Sequence, residues 1–209
     1  MNSIHQFRRA VVVVAILLLS AGAVAAEEPE QPYEIFPEAL GGFAGQISGT
    51  GLHYHKWIGQ NAFQITGGIL YVPLDLTEEP LFDSTVDYSI GAEFQRRVYG
   101  EAFTNWLAGS LYLFAGGRHH GYIPINLVAE GYVVPASDPE EWVDPVFAVG
   151  TFQAEVTIGA GIGMELILFR HFSIPIEFGY GATWIMTEAD LVDAFLVSPY
   201  GQSGFRYRY

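Results

Sequence analysis

The sequence predicts an all-β fold: an antiparallel transmembrane β-barrel of eight strands, following an N-terminal signal peptide. Three observations predict it. The chain of 209 residues is 50% hydrophobic and 15% aromatic, with 24 glycines, yet beyond its N-terminus no stretch approaches the ~20 uninterrupted apolar residues of a membrane helix. Long segments alternate apolar and polar residues with period two, as strands do. The polar side of that alternation holds carboxylates, guanidinium groups and glycines together, which suits the lumen of a barrel better than the wet face of a soluble sheet.

Residues 1–26 read as the signal peptide. Arg8 and Arg9 form its positive region, Ala10 to Leu19 its apolar stretch, and Ala23 to Ala26 supply small residues for cleavage. The arginine pair lacks the flanking residues of a twin-arginine signal, so the expected export path is the general secretory route. Residues 27–41 are acidic and contain Pro29, Pro32 and Pro37, the composition of a tail. The barrel is then expected over residues 42–209.

Composition excludes several functions. There is no cysteine, hence no disulfide framework, thiolate metal site, cysteine nucleophile or lipidated cysteine. The net charge is −14 and Lys56 is the single lysine. A duplex-binding surface needs clustered cations to neutralise phosphates, so no nucleic-acid partner is expected.

The alternation is clearest from Phe152 to Leu168, where every even position is apolar and the odd positions run Gln153, Glu155, Thr157, three glycines and Glu165. Phe172 to Trp184 repeats it, with Ser173, Pro175, Glu177 and Thr183 on the second face. Val86 to Gln95 sets Asp87, Ser89 and Glu93 against Val86, Tyr88, Ile90 and Phe94, and Phe63 to Tyr71 sets Gln64 and Thr66 against Phe63, Ile65 and Ile69. The spacing predicts strands over 43–57, 61–73, 85–98, 106–117, 121–134, 147–169, 172–186 and 200–209. The alternation is poor across 106–134. Tyr54, Trp57, Tyr71, Trp106 and Trp184 fall near strand ends, as interfacial aromatic girdles would.

The chain ends on an alternating aromatic strand, Phe205, Tyr207 and the terminal Tyr209, with Arg206 and Arg208 between them. This resembles the C-terminal signature of outer-membrane barrels, and the length and strand count resemble the small OmpA/OmpX-type barrels. The resemblance implies a bacterial outer-membrane location in a Gram-negative cell envelope. It also implies membrane lipid around the wall, and recognition of Phe205, Tyr207 and Tyr209 by the barrel assembly machinery.

Parity places Asp87, Glu93, Glu155, Glu165 and Glu177 on inward faces, with Arg97, Arg206, Arg208 and the histidines His53 and His55. An eight-stranded barrel is just wide enough for side chains to fill, and buried charges must pair. The expectation is a salt-bridged, closed lumen. An odd turn at residues 170–172 would set Glu165 directly opposite Glu177, with Arg206 and Arg208 as counter-ions. Facing carboxylates also serve as acid and base in glycoside hydrolysis, but a filled lumen admits no substrate.

Three further patterns carry weaker chemistry. His53 and His55 share one strand face, a spacing that chelates a metal only if a third ligand arrives from elsewhere. His119 and His120 read as exposed turn residues. His171 and Ser173 resemble the His-x-Ser pair of outer-membrane lipid A deacylases, although the pair lies at a short turn and the nearest acid, Glu177, faces inward. The connections 74–84, 135–146 and 187–199 are all acidic. Residues 188–196 could form an amphipathic helix with Leu191, Val192, Phe195 and Leu196 as its apolar side. Long connections in such barrels face outward, yet the first of these falls on the opposite side from the other two in this strand count.

The expected function is therefore non-enzymatic, structural or recognitional, with no cofactor and an unidentified extracellular partner. The alternatives are a narrow, porin-like solute channel, a lipid-modifying enzyme and a soluble secreted β-barrel binding protein.

Overall fold

The computed structural model describes residues 31–71, 84–129, 132–134, 141–143, 146–187 and 194–209. A four-residue helix, α1 (Pro32–Ile35), precedes eleven strands. They are β1 (Glu38–Ala44), β2 (Gly51–Ile58), β3 (Asn61–Tyr71), β4 (Ser84–Thr104), β5 (Leu107–Ala129), β6 (Tyr132–Val134), β7 (Glu141–Val143), β8 (Val146–Val149), β9 (Gln153–Leu168), β10 (Phe172–Thr187) and β11 (Ala194–Arg208). Strand neighbours run β4-β3-β2-β1-β11-β10-β9-β5, and β4 also pairs with β5, so the sheet closes on itself as a ring. Every pairing in the ring is antiparallel. Closure leaves no unpaired ring edge. The end of β5 continues past the ring and pairs with β8, while β6 and β7 form a separate two-stranded sheet.

The chain hydrophobicity is distributed inside out. Leu52, Ile69, Ile90, Ile158, Ile162, Phe178 and Phe205 are all more than half exposed on the outer wall. Glu93, Glu165, Glu177, Arg206 and Arg208 are buried within the ring. Period-two alternation fixes this assignment, because a one-residue slip would exchange the two faces of a strand. Along the ring strands, the acidic and cationic Lys/Arg residues on outward positions are Glu38, Lys56, Arg96 and Glu101, all near the end where the turns are short. Lys56 pairs with Glu38 there at 2.8 Å.

Short turns join β2 to β3, β4 to β5 and β9 to β10. The last spans Phe169 to His171, with Phe169 and Arg170 at φ 52° and 66°, the left-handed pair that matches the twist of a tight hairpin. The chain termini lie at this turn end too: Tyr209 N–H donates to the Glu38 carbonyl at 3.0 Å.

The stretch read as one strand, 147–169, is β8 and β9, and two further differences from the sequence expectation compensate each other. The stretch read as one strand, 43–57, is two. Gly49 at φ +90° and Gly51 at φ +136° reverse the chain between β1 and β2, a conformation that side-chain-bearing residues resist. The stretch read as two strands, 106–117 and 121–134, is the single strand β5 up to Ala129. Its alternation is obscured because Gly109, Gly117 and Gly121 occupy outward positions, and Arg118-His119-His120, read as a turn, pairs along its length with both β4 and β9. The ring count stays at eight, but three strands now precede residue 72. All the longer connections (72–83, 130–152 and 188–193) therefore leave from one end, which removes the conflict over residues 74–84.

Other expectations change as well. β1 begins at Glu38, inside the segment read as tail. Trp57, read as a girdle residue, points inward and is buried. Phe195 and Leu196, placed on a helix by sequence, pair in β11 with Trp184 and Thr183. Residues 188–193, and the whole signal segment 1–26, lie outside the described residues. Among the described residues no helix is long and apolar enough to cross a membrane.

Candidate functional site

The interior of the ring collects the chemistry, in three layers. The layer nearest the turn end is ionic. β11 contributes Arg206 and Arg208 and β9 contributes Glu165. Arg208 Nη2 donates to both Glu165 oxygens, at 2.6 and 2.7 Å, and Arg206 Nη1 donates to Oε1 at 3.0 Å. Arg206 spends its other donors on neutral acceptors: Nε on His53 Nε2 at 3.0 Å and Nη2 on Gln64 Oε1 at 2.5 Å. An imidazole nitrogen that accepts from a guanidinium carries no proton. His53 is thus neutral, with its proton on Nδ1. All three ionic side chains are inaccessible to solvent.

The middle layer buries carboxylates differently. Gln95 Nε2 donates to Glu93 at 2.6 Å and to Glu177 at 3.3 Å. Gln202 Nε2 donates to Glu177 at 2.6 Å and to Glu93 at 3.2 Å. Tyr112 donates to Glu177 at 2.5 Å, and the Ser48 hydroxyl donates to Glu93. Among the described residues neither carboxylate has an ion-pair partner. Gln95 also faces His55, whose Nε2 lies 3.1 Å from the amide oxygen. Tyr112 and Phe114 find room because Gly161, Gly163 and Gly179 oppose them; a methyl group at Gly163 would sit 2.4 Å from the Tyr112 ring.

The third layer lies toward the long connections. Arg118 donates to Glu155 at 2.9 Å. His120 places Nδ1 3.2 Å from Glu155 and Nε2 3.1 Å from Asp87. A ring with carboxylates on both nitrogens donates to both only as the imidazolium. Tyr122 donates to Gln153 at 2.8 Å, and Thr183 joins Thr157 to Tyr200.

Two chain segments occupy the ring ends. Residues 31–37 cross the turn end. Tyr33 is buried beneath the Arg97 guanidinium, 3.5 Å from its ring centroid, and Trp57 lies 5.0 Å from the same cation. Burial raises the Tyr33 phenol above its usual range, and the Arg97 charge works against that rise. Phe36 accepts from Arg208 at 3.3 Å. From the other end, residues 45–50 fold into the ring, and Ile47 and Ser48 have no accessible surface.

These positions sort the residues singled out in the sequence. Glu93, Glu155, Glu165, Glu177, Asp87, Arg206 and Arg208 all face inward, but as separate layers. Arg97 stands apart at the turn-end rim, donating to the Gly59 carbonyl at 3.0 Å. Glu165 does not face Glu177. The turn spans 169–171, not 170–172, so Glu165 pairs with Pro175, and Glu177 pairs with Gly163 and Gln202. The shift of two residues keeps both carboxylates inward and hands both arginines to Glu165. His119 and His120 are mid-strand: His119 is outward and stacked on Tyr88 at 5.6 Å, and His120 is inward.

His53 Nε2 and His55 Nε2 are engaged by Arg206 and Gln95. Among the described residues no group of three metal-ligating side chains forms. His171 Nδ1 donates to the Arg208 carbonyl at 2.8 Å and its ring stacks on Tyr207 at 5.4 Å, while the Ser173 hydroxyl is buried with no hydrogen-bond partner among the described residues. Phe205, Tyr207 and Tyr209 face outward and are about half exposed or more. Sequence reasoning missed Gln202, Gln95, Gln64 and Tyr112 as network members. Parity with Arg206 on β11, and with Glu93 on β4, was the available signal for the first two. Nothing local marks Ser48.

No protein-family model matches the chain, and no curated protein matches it. Among solved structures, the crystal structure of the N-terminal β-barrel domain of Pseudomonas aeruginosa OprF is similar at 10% sequence identity, covering 82% of this chain and 95% of that one, with a TM-score of 0.41. The inside-out wall and its layered interior rest on the chain's own register and burial.

Proposed function

We propose that the chain is a non-enzymatic outer-membrane β-barrel with a closed lumen, serving the envelope structurally or presenting its acidic connections to a partner at the cell surface. One observation carries the reading: a closed ring whose wall is apolar outside and whose buried charged side chains are held inside by ion pairs or hydrogen bonds. In water, each large apolar side chain left on that wall would forgo about 1.5–3 kcal/mol of burial. A bilayer supplies the missing apolar surroundings, and a closed ring meets the bilayer's demand that every backbone polar group be bonded. Among the described ring-strand residues, the outward carboxylates Glu38 and Glu101 lie near the short-turn end, which fits an interface at that level. The outward Phe205, Tyr207 and Tyr209 fit both an interfacial aromatic belt and a strand read by assembly machinery.

Closure is supported by Glu165 with its two arginines, and by the segments 31–37 and 45–50 across the ring. The non-enzymatic reading is supported by His171 and Ser173, each engaged with or buried against structure and without a shared partner. The test is gel mobility of the mature chain from an outer-membrane fraction, with and without boiling. The expected result is a faster-migrating unboiled band. Recovery as a soluble protein with no heat-dependent shift would overturn the reading. Reconstitution into planar bilayers is expected to give no steady conductance.

A further inference from the structure

Of the connections leaving the long-connection end, the one joining β1 to β2 is built to point inward. Gln202 Oε1 accepts the backbone N–H of Ile47 at 3.1 Å and of Ser48 at 3.4 Å, while its Nε2 donates to the Ser48 hydroxyl at 2.7 Å. Ser48 in turn donates to Glu93. The Ser89 hydroxyl accepts from Thr50 N–H at 3.1 Å. The wall opposite lacks the side chains that would expel this segment. A methyl group at Gly91 would meet the Ser48 carbonyl oxygen at 2.3 Å, and one at Gly159 would meet Ile47 at 2.7 Å. Glycine is therefore required at Gly91 by the close approach of two backbones. Between here and the turn end, Ser110 Oγ, Ser173 Oγ, His53 Nδ1 and His55 Nδ1 are buried and have no hydrogen-bond partner among the described residues.

We propose that residues 45–50 are a tethered plug. It separates an outer vestibule, lined by Asp87, Arg118, His120 and Glu155, from the buried ionic layer of Glu165 and its arginines. Gln202 and Ser48 are its latch. The proposal rests on the transmembrane reading above, which gives the ring two aqueous ends. The latch is a set of hydrogen bonds that ends on a carboxylate and on neutral donors, so the plug is released by loss of a few contacts while the Glu165 ion pairs stay intact. Gln202 is the critical group because, among the described residues, it alone holds both the plug backbone and the two middle-layer carboxylates.

The absence of cysteine in the chain makes the test direct. Ser110→Cys places a near-isosteric thiol in the ionic layer beside Glu165 in the β5–β9 ladder, and Gln153→Cys places one at the vestibule. Each is treated, in the refolded full mature chain in vesicles, with a small trimethylammonium methanethiosulfonate. With the latch intact, the vestibule thiol is expected to react and the inner thiol to be protected. Adding Ser48→Ala and Gln202→Ala is expected to accelerate labelling at Ser110→Cys by about tenfold or more, the scale set by losing hydrogen bonds to a charged group, and to leave Gln153→Cys unchanged. Ser48→Ala alone, which keeps both Gln202 contacts to the carboxylates, is expected to give a smaller acceleration in the same direction and covers the case in which the double variant does not refold. Equal labelling of Ser110→Cys with and without the latch overturns the proposal. The heat shift of the parent chain, read on the same samples, reports separately on the transmembrane reading.

Discussion

The ionic and middle layers of the interior bury carboxylates to the same depth by opposite means. Glu165 is neutralised by two guanidinium groups that meet it directly. Glu93 and Glu177 meet two glutamine amides, a tyrosine and a serine, and share the amides between them. Removing a partner from a buried ion pair strands a charge, whereas weakening an amide-bridged cluster removes hydrogen bonds only. The difference assigns rigidity to the turn-end half of the ring and adjustability to the half that holds the inward segment. It also fits the anchoring of each: the ionic layer joins β9 to the last strand, while the amide layer joins the wall to a loop.

Glu165→Gln should have the largest effect. It leaves Arg206 and Arg208 buried without a carboxylate, and a loss of about 3–5 kcal/mol is expected, read as the shift of a urea unfolding curve in lipid vesicles. Gln202→Ala should cost less, about 1–3 kcal/mol, because it removes hydrogen bonds to Glu177 and Glu93 but breaks no ion pair, so the ionic layer survives. Glu93→Gln should cost under about 1 kcal/mol, since the amide keeps an acceptor for Ser48 and one of two neighbouring carboxylates is removed. If Glu93→Gln proved as damaging as Glu165→Gln, the contrast between the layers would be broken. Lys56→Ala is expected to leave the unfolding midpoint where it is, because its ion pair with Glu38 is exposed to solvent and such pairs contribute little.

Much of this fold was legible in the sequence because burial in a ring imposes strict parity. Glu155, Glu165, Glu177, Arg206 and Arg208 all face the way alternation requires, and the even strand number follows from closure. Parity does not fix register. A turn placed one residue late set Glu165 opposite Glu177, two positions from its actual neighbour Pro175, and made Arg206 and Arg208 the counter-ions of a facing pair that does not form. Alternation also weakens where glycine sits on the outer face, as at Gly109, Gly117 and Gly121, which hid the continuity of β5 and placed His120 on a turn. Ser48 was invisible for a different reason. Its role depends on a loop folding back into the ring, and that follows from Gly91 and Gly159 on distant strands, not from residues beside it.

The central claim is that the apolar outer wall faces lipid. Single spin labels attached at Ile158→Cys and Ile162→Cys on the outer face, with Thr157→Cys on the inner face for contrast, test it most directly in reconstituted vesicles. The account predicts that labels at 158 and 162 are relaxed by oxygen, which concentrates in the bilayer, and hardly at all by a water-soluble nickel chelate. Ready access of the nickel chelate to the labels at 158 and 162 would contradict it.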